Sequence, residues 1–458
     1  MSLITEPSVP AKIQKMKERV RWKHPSIRQR GIDQTCLVVD DNREESPEFS
    51  FMVIGDSGTK TQNGQHPQRQ VAELMLKYGG GSRFVLHTGD VIYIVGSREY
   101  YQTNFIEPYR EFLVGGENPA KIAYDRMVFN LPIFPVLGNH DYYDVPLLYR
   151  LLSSFSLPLR RLLGYENIEI GRFSSNQGDA YARAFLDYLA AISPAELERH
   201  LDQHYTAKSD TGRCLRYQPG KFTRLPNRYY TFRYGGIDFF ALDSNTFKSS
   251  FPNSQGNENI LNIDFEQLNW LQNRLIESWH TSQVRGRIIF FHHPPYVTEA
   301  NKWYQSETLA VRHSLRWVFE KVAQTLGNLT QQRPIVDLIL SGHAHCLEYL
   351  RTVNTGYADS HINCIISGGS GHFPRPQRQE GSELMETFRD KSGSYQRKVA
   401  DSLLFVGRSG AGMGERLPYS CVRIDVLDGT PPQFIIKPLI TEQIEGEWCD
   451  RQLDPFVI

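Results

Sequence analysis

The sequence has no Cys-x-x-Cys pair, and its six cysteines are scattered at Cys36, Cys214, Cys346, Cys364, Cys421 and Cys449. That spacing offers neither a thiolate zinc site nor a disulfide framework, so free thiols are expected. Net charge is absent too: 51 basic side chains balance 51 acidic ones among 458 residues. With no global field to gather a polyanion, nucleic-acid binding is not expected, and any anion the protein handles must be drawn by a local device such as a metal. No apolar run approaches the roughly 20 residues needed to span a bilayer; the longest are short blocks such as residues 288–291. The opening Met1-Ser2-Leu3-Ile4 has no apolar stretch of about 7–15 residues behind a basic start, so the expectation is a cytoplasmic protein. What is present is ordinary for a chain that buries a core. Hydrophobic residues make up 40% and charged residues 22%, which excludes wholesale disorder.

From residue 49 onward, short apolar runs bounded by Gly, Asp, Asn or His alternate with segments of helical period. The runs at 49–54, 83–86, 133–137, 237–242, 287–291, 336–340 and 362–366 read as buried strands. Between them Val71, Leu74, Met75 and Tyr78 fall on one helical stripe that the glycines at 79–81 end. Asp264 with Gln267 introduces a second helix, and Leu315, Val318, Phe319 and Val322 line a third. Strands alternating with helices predict an α/β core. Residues 1–47 form a basic N-terminal extension, with eight Lys or Arg against Glu18 over residues 11–30. They read as a solvated arm that allows peripheral membrane contact. Residues 144–230 read as a largely helical insertion, with Ser193-Pro194-Ala195-Glu196 as a helix start. Residues 446–458 read as a C-terminal tail. A single domain over 48–445, enlarged by the extension and the insertion, is expected in place of the three domains that length alone implies at about 150 residues each.

The chemistry lies at the strand ends. In chain order the motifs there are Gly55-Asp56-Ser57-Gly58, His87-Thr88-Gly89-Asp90-Val91-Ile92-Tyr93, Gly138-Asn139-His140-Asp141, His292-His293-Pro294, Gly342-His343-Ala344-His345 and Gly368-Gly369-Ser370-Gly371. Polar residues repeated at strand carboxyl ends are where α/β sheets build their sites. Asp, Asn, Tyr and His without Cys are ligands for Fe, Mn, Zn or similar ions, and their number exceeds what one catalytic metal with an open position needs. Two adjacent metals sharing a carboxylate account for them, and such a pair can clamp a phosphoryl group and activate a water. The glycine-rich stretches at 368–371 and 407–414 have neither the Walker lysine nor the Rossmann spacing.

The ordered set Gly-Asp-x-Gly, Gly-Asp-x-x-Tyr, Gly-Asn-His-Asp, His-x-Pro and Gly-His-x-His resembles the calcineurin-like metallophosphoesterases, and within them the purple acid phosphatase branch, over about residues 49–440. Glycine at 58, where the wider superfamily has a histidine ligand, together with Tyr93, carries the branch resemblance. The resemblance implies a four-layer αββα sandwich of mixed sheets flanked by helices. It implies that Asp56, Tyr93 and His345 hold Fe(III), that Asp90 bridges, and that Asn139, His292 and His343 complete a second site for Fe(II), Zn(II) or Mn(II). After two aspartates, a phenolate and a hydroxide are counted, such a pair keeps positive charge for phosphate.

The implied activity is hydrolysis of a small phosphate monoester by a metal-activated hydroxide. His140 then serves as general acid, with Asn139, His140 and His293 facing substrate. A phosphodiesterase or nucleotide hydrolase on the same dinuclear site is the alternative, and a non-catalytic binding protein on this fold a further one. Asp141 is expected to orient a neighbouring turn or histidine, and His87 to be structural. One departure stands out: where the family places further phosphate-contacting histidines, this sequence has Asn301-Lys302, so either Lys302, His313 or the insertion supplies that contact or phosphate is handled differently.

Overall fold

In the computed structural model, which describes residues 4–59, 66–145, 174–247, 263–390 and 393–458, the apolar runs become strands and the periodic segments become helices. The N-terminal half contains α1 (Val9–Arg19), α2 (Pro25–Gln29), β1 (Ile32–Val39), β2 (Phe49–Ile54), α3 (Pro67–Tyr78), β3 (Ser82–His87) and β4 (Ile133–Pro135). It continues with α4 (Asp179–Phe185), α5 (Pro194–His204), β5 (Ala207–Ser209), β6 (Gly212–Tyr217), β7 (Tyr230–Tyr234) and β8 (Ile237–Ala241). The C-terminal half contains α6 (Phe265–His280), β9 (Gly286–Phe290), α7 (Ser306–Leu326), β10 (Leu338–Ser341), β11 (Leu347–Thr352) and β12 (Asn363–Ser367). The chain ends with β13 (Glu383–Asp390), β14 (Gly393–Val406), β15 (Tyr419–Val426), β16 (Phe434–Ile444), β17 (Glu447–Gln452) and β18 (Phe456–Val457).

Two mixed sheets result. The larger has 11 strands in the order β13-β14-β11-β12-β10-β9-β8-β7-β1-β6-β5; the smaller has 7, in the order β17-β16-β15-β2-β3-β4, with β18 beside β16. They face each other across an aromatic core. Phe51 and Phe84 of the smaller sheet stack at 5.2 Å, and Phe239 and Phe232 of the larger meet Phe84 edge-on at 5.3 and 5.6 Å. The two-residue period of a strand sends its next side chain to the opposite face. Phe240, Leu242, Ile289 and Ile339 accordingly leave that core and pack with Leu268, Leu271, Leu275, Leu315, Val318 and Phe319 of α6 and α7. Helix α3 covers β15 and β16 of the smaller sheet. Helix, sheet, sheet, helix is the layering that the family resemblance implies, built on the α/β core that the sequence pattern predicts.

Local signals act as expected at α6, where the Asp264 side chain accepts the Gln267 N–H. At α5, Pro194 opens the helix but the Ser193 hydroxyl donates to the Glu196 carboxylate at 2.7 Å, leaving the backbone cap unmade.

The basic N-terminal segment is not a solvated arm. Val9, Met16, Val20 and Ile27 are buried, and so are Lys12 and Arg19. Lys12 Nζ reaches Glu6 at 2.6 Å and Asn245 O at 3.3 Å, while Arg19 donates to Gln177 O at 2.8 Å and Asn176 O at 2.9 Å. Lys17 and Lys23 share Glu266, each at 2.6 Å. The apolar positions pull the helix inward, and the long cationic side chains follow with their heads on partners. Strand β1 then joins the large sheet between β6 and β7. Of the expected helical insertion, residues 146–173 lie outside the described residues. The remainder supplies α4 and α5 but also β5 and β6, and β6 runs parallel to β1. The C-terminal tail carries strands β17 and β18, both pairing with β16. Among the described residues no helix is long and apolar enough to cross a membrane.

Candidate functional site

Each candidate side chain leaves a strand at its carboxyl end. Asp56 follows β2, Asp90 and Tyr93 follow β3, Asn139 and His140 follow β4, His292 and His293 follow β9, and His343 and His345 follow β10. The pairs β2/β3, β3/β4, β9/β10 and β10/β12 are parallel, so these ends gather on one rim of the sandwich. The turns are tight. Asp56, Asp90 and His343 take left-handed backbone at φ of 56°, 52° and 66°, which costs a non-glycine residue about 1–3 kcal/mol. Fixed contacts hold them there: Asp56 N donates to Gly89 O at 2.9 Å and His343 N to Asp56 Oδ2 at 2.8 Å. Gly58 has its own reason. A Cβ there would lie 1.7 Å from Val91 O, and the close packing that its absence allows lets Tyr93 N donate to Gly58 O at 2.8 Å. Glycine at 58 and tyrosine at 93 are thus one structural device.

Two groups of donor atoms meet at Asp90. In the first, Tyr93 Oη lies 2.8 Å from Asp56 Oδ1, 2.8 Å from Asp90 Oδ2 and 3.2 Å from His345 Nε2. One phenolic hydrogen cannot serve that many lone pairs. In the second, His292 Nε2 lies 2.9 Å from Asn139 Oδ1, 3.2 Å from His343 Nδ1 and 3.3 Å from Asp90 Oδ2. Again one ring hydrogen faces several acceptors. Hard oxygens and imidazole nitrogens converging with too few protons fit metal ions. One ligand atom from each of Asp56, Asp90 and His292, and likewise from each of His292, His293 and His343, lies within 4.8 Å of the others in its trio.

Burial sets the electrostatics. It pushes the Asp56 carboxyl up to about 8, with Asp90 adding to the effect. Burial also raises Asp90, but His292 and His140 outweigh it and hold that carboxyl well below its usual range. His292 is the counterpart: burial lowers it, yet Asp90 carries it up to about 9. Burial, Asp56 and Asp90 together drive the Tyr93 phenol well above its ordinary value. Burial drives His343 and His345 well below the histidine range, with Lys302, His293, His292 and His345 adding to it at His343 and His372, Lys302 and His140 adding to it at His345.

The other candidates separate cleanly. His140 is half-buried; its backbone N donates to Asp90 Oδ1 at 2.8 Å and its Nδ1 sits 2.6 Å from Ile94 O. His293 is buried with Nδ1 2.9 Å from Ser244 Oγ and its ring 4.5 Å from that of His343. Asp141 accepts from the N–H groups of Val91, Ile92 and Gly138 at 2.9 to 3.2 Å; it orients turns and no histidine. His87 is structural, bonded to Ser57 Oγ at 2.8 Å and to Gly89 N at 3.2 Å. His313 lies on α7 beside Arg316 and Glu386, and from that stretch it is Lys302 whose Nζ reaches the site, 3.0 Å from His343 Nε2. Sequence reasoning missed His372. Its ring packs 4.5 Å from that of Tyr93 and 4.2 Å from that of His345, on a phenol that His140 also contacts at 4.2 Å. The strand-end rule could have found it, since it lies one glycine-rich turn beyond β12.

The sequence profile of the calcineurin-like phosphoesterases matches residues 49–347. No curated protein matches the chain. Among solved structures, the chain is similar to GAP50, the anchor in the inner membrane complex of Plasmodium, at 14% identity and a TM-score of 0.41, covering 89% of both chains. It is similar to purple acid phosphatase PPD1 from yellow lupin (Lupinus luteus) seeds at 11% identity and a TM-score of 0.45, covering 91% of this chain and 54% of that one. It is similar also to PhoD at 12% identity and a TM-score of 0.41, covering 90% of this chain and 70% of that one. The chain thus spans little more than half the length of the lupin protein.

Proposed function

The chain belongs to the calcineurin-like phosphoesterase family, and on that premise we propose that it hydrolyses small phosphate monoesters at a two-metal centre of the purple acid phosphatase kind. Asp56, Tyr93 and His345 would hold a ferric ion, Asn139, His292 and His343 a divalent Fe, Zn or Mn ion, and Asp90 both. The observation that carries the reading is Asp90, whose Oδ2 lies 2.8 Å from Tyr93 Oη in one donor group and 3.3 Å from His292 Nε2 in the other. Two ions held there would supply a Lewis-acid clamp on phosphate and would lower the pKa of a water in the site.

The chain's own residues do the rest. His140 keeps Nδ1 on the Ile94 carbonyl, so its protonated form presents Nε2–H to the site, 3.9 Å from Asp90 Oδ2, and can hand that proton to the departing alkoxide. Burial lowers this histidine from its ordinary value. Turnover of esters with poor leaving groups therefore falls as pH rises through it, and His140→Asn should remove that limb of the profile. Asn139 and His293 line the same rim as His140 and would face the ester.

Metal uptake should be proton-linked. In the metal-free protein the Tyr93 phenol and the Asp56 carboxyl, raised to about 8, are protonated at pH 7, and so is His292, raised to about 9. Ligation needs all of them deprotonated, so uptake at pH 7 releases on the order of three protons per chain and weakens as pH falls. Titration in a weakly buffered solution reads this directly; uptake without acidification would contradict it.

The function itself is tested by comparing aryl monoesters and diesters on iron-loaded protein. Monoester hydrolysis is expected to dominate, with a visible tyrosinate-to-iron band that Tyr93→Phe removes. Preferential diester cleavage would overturn the substrate class, and a band untouched by the substitution would overturn the ferric assignment.

A further inference from the structure

Two side chains from the turn that leads into α7 converge on a single atom. Lys302 Nζ lies 3.0 Å and Gln305 Oε1 3.1 Å from His343 Nε2. Both contacts cannot be hydrogen bonds in the same state. An ammonium group only donates and needs a lone pair on Nε2, whereas an amide oxygen only accepts and needs Nε2–H. The other ring nitrogen decides between them. His343 Nδ1 lies inside the second donor group, 3.2 Å from His292 Nε2. A cation held there takes the Nδ1 lone pair, and a neutral ring then carries its proton on Nε2.

We infer that Gln305 is a positioning residue that locks His343 in the Nε2–H tautomer, and that Lys302, displaced from the ring by that proton, is a binding residue for the terminal phosphate of the substrate. The inference rests on the two-metal reading above. Gln305 is well placed for the task, because its backbone is fixed at the start of α7: Leu309 N donates to Gln305 O, and Gln305 N to Lys302 O, each at 3.1 Å. The base of the turn is anchored in turn, Lys302 N donating to Glu299 O at 3.1 Å and Ala300 N to Pro376 O at 3.0 Å. Lys302 is half-buried, and among the described residues it forms no salt bridge. Its acidic neighbours, in order of influence, are Glu299, Asp56, Asp90 and Glu307, and of these Asp56 and Asp90 would be taken up by the metals. A cation without a carboxylate of its own, at the mouth of a site for anions, favours a doubly charged terminal phosphate over a singly charged diester. This gives the neutral chain a local means of selecting monoesters.

The test uses Zn(II) alone and then inorganic phosphate on the full-length protein, with binding read by calorimetry. Gln305→Leu should weaken Zn(II) binding about 10–100-fold, and Gln305→Glu, which keeps an acceptor on Nε2–H, should restore most of it. Lys302→Met should leave Zn(II) affinity unchanged or raised, because it removes a like charge, yet weaken phosphate binding to the loaded protein by roughly tenfold or more. Lys302→Arg should retain phosphate affinity. Zn(II) affinity unchanged in Gln305→Leu, phosphate affinity unchanged in Lys302→Met, or Zn(II) affinity lost in Lys302→Met would each overturn the inference. Wild-type protein that takes up no Zn(II) would overturn the two-metal reading itself. Wild-type protein that binds both probes while the variants match it overturns this inference alone.

Discussion

Asp90→Asn is expected to lower monoester turnover by about a thousandfold or more, which corresponds to roughly 4 kcal/mol of lost transition-state stabilisation. The substitution changes almost nothing in shape. It replaces a lone pair by an N–H donor at the atom where the two donor groups meet, and it removes the charge that holds His292 in place. Tyr93 would keep a partner in Asp56, at 2.8 Å, and His292 would keep Asn139, at 2.9 Å. The two halves would survive and the link between them would not. Steady-state kinetics on metal-reconstituted protein checks this. Turnover within tenfold of wild type would mean that Asp90 bridges nothing.

The largest expected loss of stability lies behind the site. Arg228 is 2% exposed and donates to Asp243 Oδ2 at 3.0 Å and to Asp264 Oδ2. Asp243 also accepts from the Tyr142 hydroxyl at 2.8 Å, and Asp264 caps α6. The next residues along the chain reach the rim: Ser244 meets His293, and Asn245 Nδ2 donates to Leu137 O at 2.8 Å. Removing the guanidinium strands two carboxylates with no water to solvate them. Arg228→Met should therefore cost about 3–5 kcal/mol in chemical denaturation, the usual penalty for breaking a buried ion pair from one side. Adding Asp243→Asn and Asp264→Asn should recover much of that loss, since the cost arises from the unpaired charge. A single-variant loss below about 1 kcal/mol would show that water or a rearranged neighbour takes over.

The parts of the fold legible in the sequence are those under strong local constraint. Runs such as β2 and β9 are buried along their whole length and are apolar but for Ser50 and Arg287, so the residue types at their ends stand out. Tyr93 could be read because glycine stands at 58, where the resembled superfamily has a histidine ligand. The N-terminal segment could not. Its charges dominate the composition, and only the fold provides the partners, Glu6, Glu266 and backbone carbonyls at 176, 177 and 245, that let Lys12, Lys17 and Arg19 turn inward. Strands β5 and β6 escaped for a related reason, since Lys208, Arg213 and Arg216 break the apolar alternation and pairing with β1 is a tertiary fact. His372 lies just past Gly368-Gly369-Ser370-Gly371, a strand-end motif with no ligating residue type of its own, so nothing in that motif singles it out. Lys302 was legible as a departure, but its aim at His343 depends on how α7 meets β10.

One chain is expected to hold two metal ions joined through Asp90. Metal content per chain after reconstitution and removal of excess metal decides this, wild type beside Asp90→Asn. Two ions are expected in the wild type, and in the variant at most one. Wild-type protein that retains a single ion or none, or a variant that still retains two, would contradict it.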